Sequence, residues 1–322
     1  MRMPAATAVI DRKREAWIRA HDQHPLALAI GIFDGVHLGH QTVIESAVTT
    51  AKRSHGLSAL LTFSPHPSRV LGSPTPTRLL MPEEWKNQRV LGLGMDAVLW
   101  KRFDAEFAAI EAEDFVPWLA RHLPQLSSLH IGANFQFGVG RRGDIDLLTK
   151  SGRDSGVDVF SVERIQYNGE AISSSRIRKE LVAGRLDQVN RMLGYPYHAY
   201  GSVQPGKRLG RQIGFPTLNL RWGPETKPCF GVYAVQVSGA NGTLYPGVAN
   251  YGLRPSVEPD ATEPLLEIHV IGACPFSEGD FLSVDWLEFL RPEERFDSKE
   301  MLIEAIGRDK SKAARLLERF AD

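Results

Sequence analysis

Leu26-Ala27-Leu28-Ala29-Ile30-Gly31-Ile32-Phe33-Asp34-Gly35-Val36-His37-Leu38-Gly39-His40-Gln41 holds, in order, an apolar run, a glycine-punctuated turn and the opening of a helix. A short apolar strand that feeds such a turn leaves the first unpaired N–H groups of the helix at the strand's carboxyl end, where they can hold an anion. Gly31, Gly35 and Gly39 let the main chain approach a ligand with no Cβ in the way. His37 and His40, three apart, share one face of the incipient helix and can reach the same phosphate. Each imidazole offers an N–H donor to a phosphoryl oxygen. That set stabilises charge developing on phosphorus and needs no nucleophile from the protein. One histidine in a turn is ordinarily a surface or core residue; here strand, glycines and both rings coincide.

Working outward, 322 residues suffice for two domains of ordinary size. Apolar content of 43% and charged content of 24% are those of an ordinary globular protein. With 38 basic and 38 acidic side chains, nothing predicts general attraction to nucleic acid or to an anionic membrane, so phosphate must be held by local sites. Asp11 to Glu15 carry charge where a signal peptide would need its apolar core, and no segment approaches the roughly 18 apolar residues of a membrane span. The expectation is a cytoplasmic protein. Cys229 and Cys274 are too few for a zinc cluster or a disulfide framework and are expected to be reduced.

Apolar runs at 26–32, 57–63, 97–100, 129–131 and 157–162 alternate with helix-length segments such as 42–54 and 105–122. This pattern predicts a parallel, doubly wound α/β domain over residues 1–190, with ligands at the carboxyl ends of its strands. Three further stretches fall at such places: Thr62-Phe63-Ser64-Pro65-His66-Pro67, the glycine-rich Gly132-Ala133-Asn134-Phe135-Gln136-Phe137-Gly138, and Ile172-Ser173-Ser174-Ser175-Arg176-Ile177-Arg178 at a helix start. Hydroxyls at a helix N-terminus serve as caps, or leave the N–H groups for phosphate while an arginine clamps the same oxygens. After Gly194 and Pro196 the periodicity changes to short alternating runs parted by Gly, Pro and Asn, which predicts an antiparallel barrel over 191–322. A terminal helix closes it, opened by Asp297 and Glu300 in capping-box spacing, with Leu302, Ile303, Ile306, Ala313 and Leu317 as core positions. The basic, glycine-punctuated run from Gly206 to Leu220 sets Thr217 and Asn219 at alternate positions of a strand, on one face, where a hydroxyl and an amide oxygen suit a hard cation.

Together these motifs resemble the bacterial bifunctional riboflavin kinase/FAD synthetase family. Its H-x-G-H, T-F-D/E-P-H-P, G-x-N/D-F-x-F-G and I-S-S-T-x-x-R signatures are resembled in the first half, with Ser175 keeping a hydroxyl where threonine is common, and G-x-x-x-G-R-x-x-G-F-P-T-x-N in the second. The resemblance implies a Rossmann-like nucleotidylyltransferase domain and a riboflavin kinase barrel. The substrates would be riboflavin, FMN and ATP, with Mg²⁺ as cofactor and transient transfer of FAD to apoflavoproteins as a possible further step. It assigns His37, His40 and Arg178 to adenylyl transfer and Glu267 as kinase base. Gly31, Phe33, Asp34, Gly35, Ser173, Ser174, Gly210, Gly214 and Pro216 would bind nucleotide, His66, Asn134, Phe137 and Arg291 flavin, and Thr217 and Asn219 metal. Two departures stand out. Ser64 takes the place of an acid, and Gly272 to Phe281 replaces the acidic-aromatic stretch and L-Y-G of the family, which bears on flavin affinity and turnover in the barrel. The alternatives are an adenylyltransferase with an impaired kinase barrel and a flavin- or nucleotide-binding regulator without turnover.

Overall fold

The computed structural model describes residues 9–10, 23–206, 210, 213–253 and 263–317. These form two compact units, one ending at Ser174 and the other beginning at Ser175.

The first unit carries β1 (Val9–Ile10), β2 (Leu26–Ile30), α1 (Leu38–Arg53), β3 (Leu57–Ser64), α2 (Pro67–Val70), α3 (Glu83–Gly92), β4 (Ala97–Arg102), α4 (Ala105–Ala108), α5 (Phe115–His122), β5 (Leu126–Gly132), α6 (Ile145–Asp154) and β6 (Asp158–Val162). Its six-stranded sheet has the order β1-β4-β3-β2-β5-β6, and every pairing is parallel. All positions of β2 are buried, as a strand covered on both faces requires. Leu26, Leu28 and Ile30 join one apolar cluster with Leu61, Leu99, Leu129 and Phe115, while Ala27 and Ala29 join another with Val43, Ile44 and Ala47 of α1. The chain passes from β2 to β3 on one side while β5 flanks β2 on the other. The sheet's switch point therefore lies at the carboxyl end of β2, where open α/β sheets form their ligand crevice.

The helix expected over 105–122 is broken into α4 and α5. Val139 N donates to Ile110 O at 2.8 Å, and Gly138 lies so close to Ala112 that a Cβ would stand 2.6 Å from its Cα. The glycine-rich loop after β5 thus occupies the gap. A small hairpin, β7 (Gln166–Tyr167) and β8 (Glu170–Ala171), was not read from the sequence, although Asn168-Gly169 at its tip, φ 53° and 77°, is a strong hairpin dipeptide.

The chain continues through α7 (Ser174–Val182) and α8 (Leu186–Leu193). It then forms β9 (Tyr197–Gln204), β10 (Leu218–Leu220), β11 (Gly231–Ser238), β12 (Leu244–Gly252), β13 (Leu265–Val270), β14 (Phe281–Pro292) and α9 (Lys299–Leu317). The six strands close as an antiparallel barrel, β10-β13-β12-β11-β14-β9. Tyr197, Tyr233, Tyr251 and Trp286, all nearly inaccessible, pack edge to face or tilted about one another. Ala313 and Leu317 of α9 pack on Val232, Ala234 and Val248. The helix is capped by Ser298, whose Oγ accepts from Met301 N at 3.2 Å, rather than by Asp297. The expected core positions Leu302 and Ile306 line a cavity instead.

The units divide ahead of residue 190 because α8 is tied to the barrel. The Asn190 amide donates to Trp286 O at 2.8 Å and its oxygen accepts from Tyr197 N at 2.7 Å. Removing that side chain leaves main-chain groups unpaired, each costing about 1–3 kcal/mol. Asn190→Ala is expected to lower barrel stability by that order in urea unfolding; an unchanged midpoint would show that the tie is redundant.

Candidate active sites

In the α/β unit the turn after β2 runs through left-handed backbone: Phe33 at φ 50°, Gly35 at 80° and Val36 at 34°. Positive φ at a β-branched valine persists only when its surroundings enforce it. Thr62 Oγ1 and Lys86 Nζ both donate to Ile32 O, at 3.0 and 2.7 Å. The Asp34 carboxylate, 1% exposed, accepts from Leu80 N at 3.0 and 3.1 Å. Ser174 Oγ donates to Asp34 O at 2.8 Å, and Gln41 Nε2 to Val36 O at 2.9 Å. Asp34 and Phe33, expected against nucleotide, are both buried in the ligand-free chain, Asp34 bonded to Leu80 and Phe33 within the apolar core.

The turn delivers His37 to the N-cap of α1, where Nδ1 accepts from His40 N at 3.3 Å. A neutral His37 with an occupied acceptor at Nδ1 keeps its proton on Nε2, ready to donate. The two rings stack with centroids 3.6 Å apart. A Cβ on Gly39 would stand 3.3 Å from the His37 ring, so a larger residue would press on it. Burial lowers the His37 pKa to about 4, with Arg164 adding to the effect. Burial, then the charges of His37 and Lys86, hold His40 well below its ordinary value. Lys86 is itself lowered to about 8 by burial, partly offset by Asp34 and Glu83.

Around this centre, His66 caps α2 through Nδ1, which accepts from Ser68 N at 3.1 Å. Ser64, where the resemblance leads to the expectation of an acid, donates to the Glu83 carboxylate of α3, so an acidic group lies beside it from another element. Asn134 is exposed on the loop after β5, whereas the Phe137 ring is buried against Phe115. Ser173 immediately precedes α7, Ser174 begins it, and Arg178 follows on its second turn. Lys86 and Arg164 were missed by sequence reading; a lysine in a helix and an arginine after a strand carry no local signal.

The barrel site is built by register. Gln204, Asn219, Glu267, Asn250, Val232 and Arg291 are direct cross-strand partners from β9 round to β14. Directly opposed residues share a face, and all six line a cavity of about 950 Å³. The pleat turns the alternate residues Leu266, Ile268 and Tyr251 the other way, into full burial. Asn219 is 8% exposed and Thr217 exposed. A Cβ on Gly206 would stand 1.7 Å from Asn219 Nδ2, so only glycine lets that segment pass. Gly210 O accepts from Phe215 N at 2.8 Å, a tight turn that brings Gly214 and Pro216 to the edge of β10; residues 207–209 and 211–212 of this basic loop lie outside those described. Arg291, expected on flavin, is engaged by Asp309 of α9 through Nε and Nη2 at 2.8–3.1 Å. Glu293 carries a carboxyl pushed up by burial and by the Glu267 charge, against hydrogen bonds from Asn250 and Leu253. Phe276, Ser277 and Glu278 of the atypical segment also line the cavity.

No group of three or more His, Cys, Asp or Glu side chains among the described residues could cage a metal ion. Thr217 and Asn219 supply neutral oxygens only, which fits a hard cation that arrives with phosphates and water. No helix among the described residues is long and apolar enough to cross a membrane.

A parallel sheet with a histidine-bearing turn at its switch point, followed in the chain by a closed barrel with a mixed polar and apolar cavity, suits a two-domain nucleotide-dependent transferase. Comparison with known proteins gives the family. Residues 19–176 match the FAD synthetase model and residues 193–317 the riboflavin kinase model. The bifunctional riboflavin kinase/FMN adenylyltransferase of Escherichia coli (strain K12) is 36% identical over 89% of this chain and 91% of its own. That of Listeria monocytogenes serovar 1/2a is 33% identical, over 92% and 93% respectively. That of Bacillus subtilis (strain 168) is 34% identical, over 91% and 93%. A solved structure titled as a macrolide-efflux protein from Streptococcus pneumoniae shares the fold at TM-score 0.80 and 24% identity, covering 92% of this chain and 96% of that one. The chain belongs to the bifunctional riboflavin kinase/FMN adenylyltransferase family, whose chemistry is ATP-dependent.

The buried rings give a pH signature. His37 and His130 are lowered from 6.5 to about 4, chiefly by burial, so the unfolded chain takes up their protons first as pH falls. A depressed folded-state pKa means stability that is complete above 6.5 and lost progressively toward 4. Unfolding of the α/β unit by urea is expected at clearly lower concentration at about pH 5 than at about pH 7, above the ordinary carboxylate range; equal midpoints would contradict this burial.

Proposed function

We propose that the barrel makes FMN from riboflavin and the α/β unit makes FAD from FMN, each at the residues described above. In the barrel, Glu267 takes the proton of the riboflavin 5′-hydroxyl as that oxygen attacks the γ-phosphorus of ATP, and ADP leaves. Thr217 and Asn219 would hold Mg²⁺ with the phosphates, and the bound ion would offset their charge. The turn from Gly210 through Gly214 to Pro216 covers the nucleotide. Arg291 acts on flavin through the wall that it forms with Asp309.

In the α/β unit, a phosphate oxygen of FMN attacks the α-phosphorus of ATP in line, and pyrophosphate leaves. Neutral His37 donates from Nε2, His40 from the adjoining ring, and the first amides of α1 complete the set. Gly31 and Gly35 keep the turn open to phosphate, Ser173 and Ser174 bind triphosphate at the start of α7, and Arg178 faces the growing charge. His66, Asn134 and Phe137 flank the flavin, Phe137 as the support of its loop. The stacked His37–His40 pair on a helix N-cap is the observation that carries this reading. Balanced charge favours small molecules over nucleic acid or an anionic membrane surface as partners; the reading places the enzyme in the cytoplasm, with transient transfer of FAD to apoflavoproteins as a further step.

Removing one preorganised donor costs about a hundredfold or more in rate. Purified variants given riboflavin, ATP and magnesium, with the flavins separated by chromatography, test the assignment. His37→Ala or His40→Ala is expected to stop FAD formation and spare FMN formation, and Glu267→Ala to stop FMN formation while FMN supplied directly is still adenylylated. Equal damage to both activities in a folded variant would overturn the two-site reading.

A further inference from the structure

His269 has no role in this account, yet its position does not suit an idle core residue. It lies on β13 two residues after Glu267, so the pleat sets both on the cavity side. Its ring is 8% exposed and packs edge-on against Phe215. Nδ1 lies 2.9 Å from Pro216 O. A carbonyl oxygen can only accept, so Nδ1 carries a proton, and in the neutral ring Nε2 then holds a lone pair. That Nε2 is buried and has no partner among the described residues.

We propose that His269 is a positioning residue of the barrel site, which fixes Pro216 through Nδ1–H and accepts through Nε2 from a sugar-type hydroxyl of a bound ligand. The Nδ1 bond pins the residue before Thr217 to the strand of Glu267, beside the Leu218–Ile268 and Asn219–Glu267 pairs. It thereby sets the phosphate-side oxygens relative to the base. A buried acceptor without a donor is costly, and neutral Nε2 cannot bind a phosphate oxygen; an alcohol O–H satisfies it. Riboflavin and ATP both bring such hydroxyls, in the ribityl chain and the ribose. The proposal rests on the kinase reading of the barrel.

Two substitutions separate the two nitrogens. His269→Asn carries an amide N–H near the place of Nδ1 and nothing at Nε2; His269→Gln reaches the place of Nε2 and abandons Pro216. In FMN formation, His269→Asn is expected to keep kcat within about twofold and raise one KM about tenfold, the size of one lost hydrogen bond. A raised KM for riboflavin identifies the ribityl chain, and a raised KM for ATP the ribose. His269→Gln is expected to lower kcat about tenfold with smaller KM changes, since a small misplacement of reacting groups is felt in the chemical step. Near-ultraviolet circular dichroism of the same preparations, to which the packed Trp222, Tyr251 and Trp286 of the barrel contribute, reports its folding. Identical behaviour of Asn, Gln and Ala variants would overturn the proposal. Nitrogen-15 NMR of the imidazole in the ligand-free protein gives a readout that needs no turnover: the Nδ1–H tautomer is expected, and an Nε2–H tautomer would refute the proposal. Should the wild-type protein make no FMN, the kinase reading fails, while the tautomer still decides the Pro216 bond.

Discussion

The α/β site depends on one strained turn. Between Ile32 and His37 the backbone passes three times through positive φ, twice at residues that resist it. Each such residue stores on the order of 1–3 kcal/mol. The strain is offset from four places in the chain: Thr62, Leu80, Lys86 and Ser174 all hydrogen-bond Ile32 or Asp34. What the constraint achieves is the seating of His37 as N-cap and of His40 against it, both rings held toward the neutral form. A site that must stabilise charge only as it develops benefits from donors whose own charge is suppressed beforehand.

The barrel solves a similar problem by other means. No strained turn is needed, because strand register places Gln204, Asn219, Glu267 and Asn250 side by side on one face. The aromatic interior behind them is filled, so the ligand space lies on the opposite face, in the cavity that α9 helps to line. The Arg291–Asp309 pair fastens that helix, with Arg291 19% and Asp309 9% exposed at the side chain. This pair is part of the cavity wall as much as of the fold.

The fold was legible because its signals are local: buried apolar runs before helices, then alternating runs parted by turn residues. The histidine turn was legible for the same reason, since strand, glycines and both rings are contiguous. Contacts set by tertiary packing were not. Nothing beside Asp34 announces that its carboxylate serves Leu80, and nothing beside Ser64 announces Glu83. Asp309 sits in an amphipathic helix that reads as core packing, and only the fold sets it against Arg291. The break in the expected 105–122 helix is filled by a loop some thirty residues on, and its one local mark is Pro117, which suits the first turn of a new helix and not the interior of a longer one.

The most direct test of the account is the rate of FAD formation from FMN and ATP by Asp34→Ala, measured beside FMN formation from riboflavin in the same preparation. Without the carboxylate that anchors the turn, the histidine rings lose their placement. FAD formation is expected to fall about a hundredfold with FMN formation retained. Full FAD formation by the folded variant would contradict the claim that this turn is what the α/β site depends on.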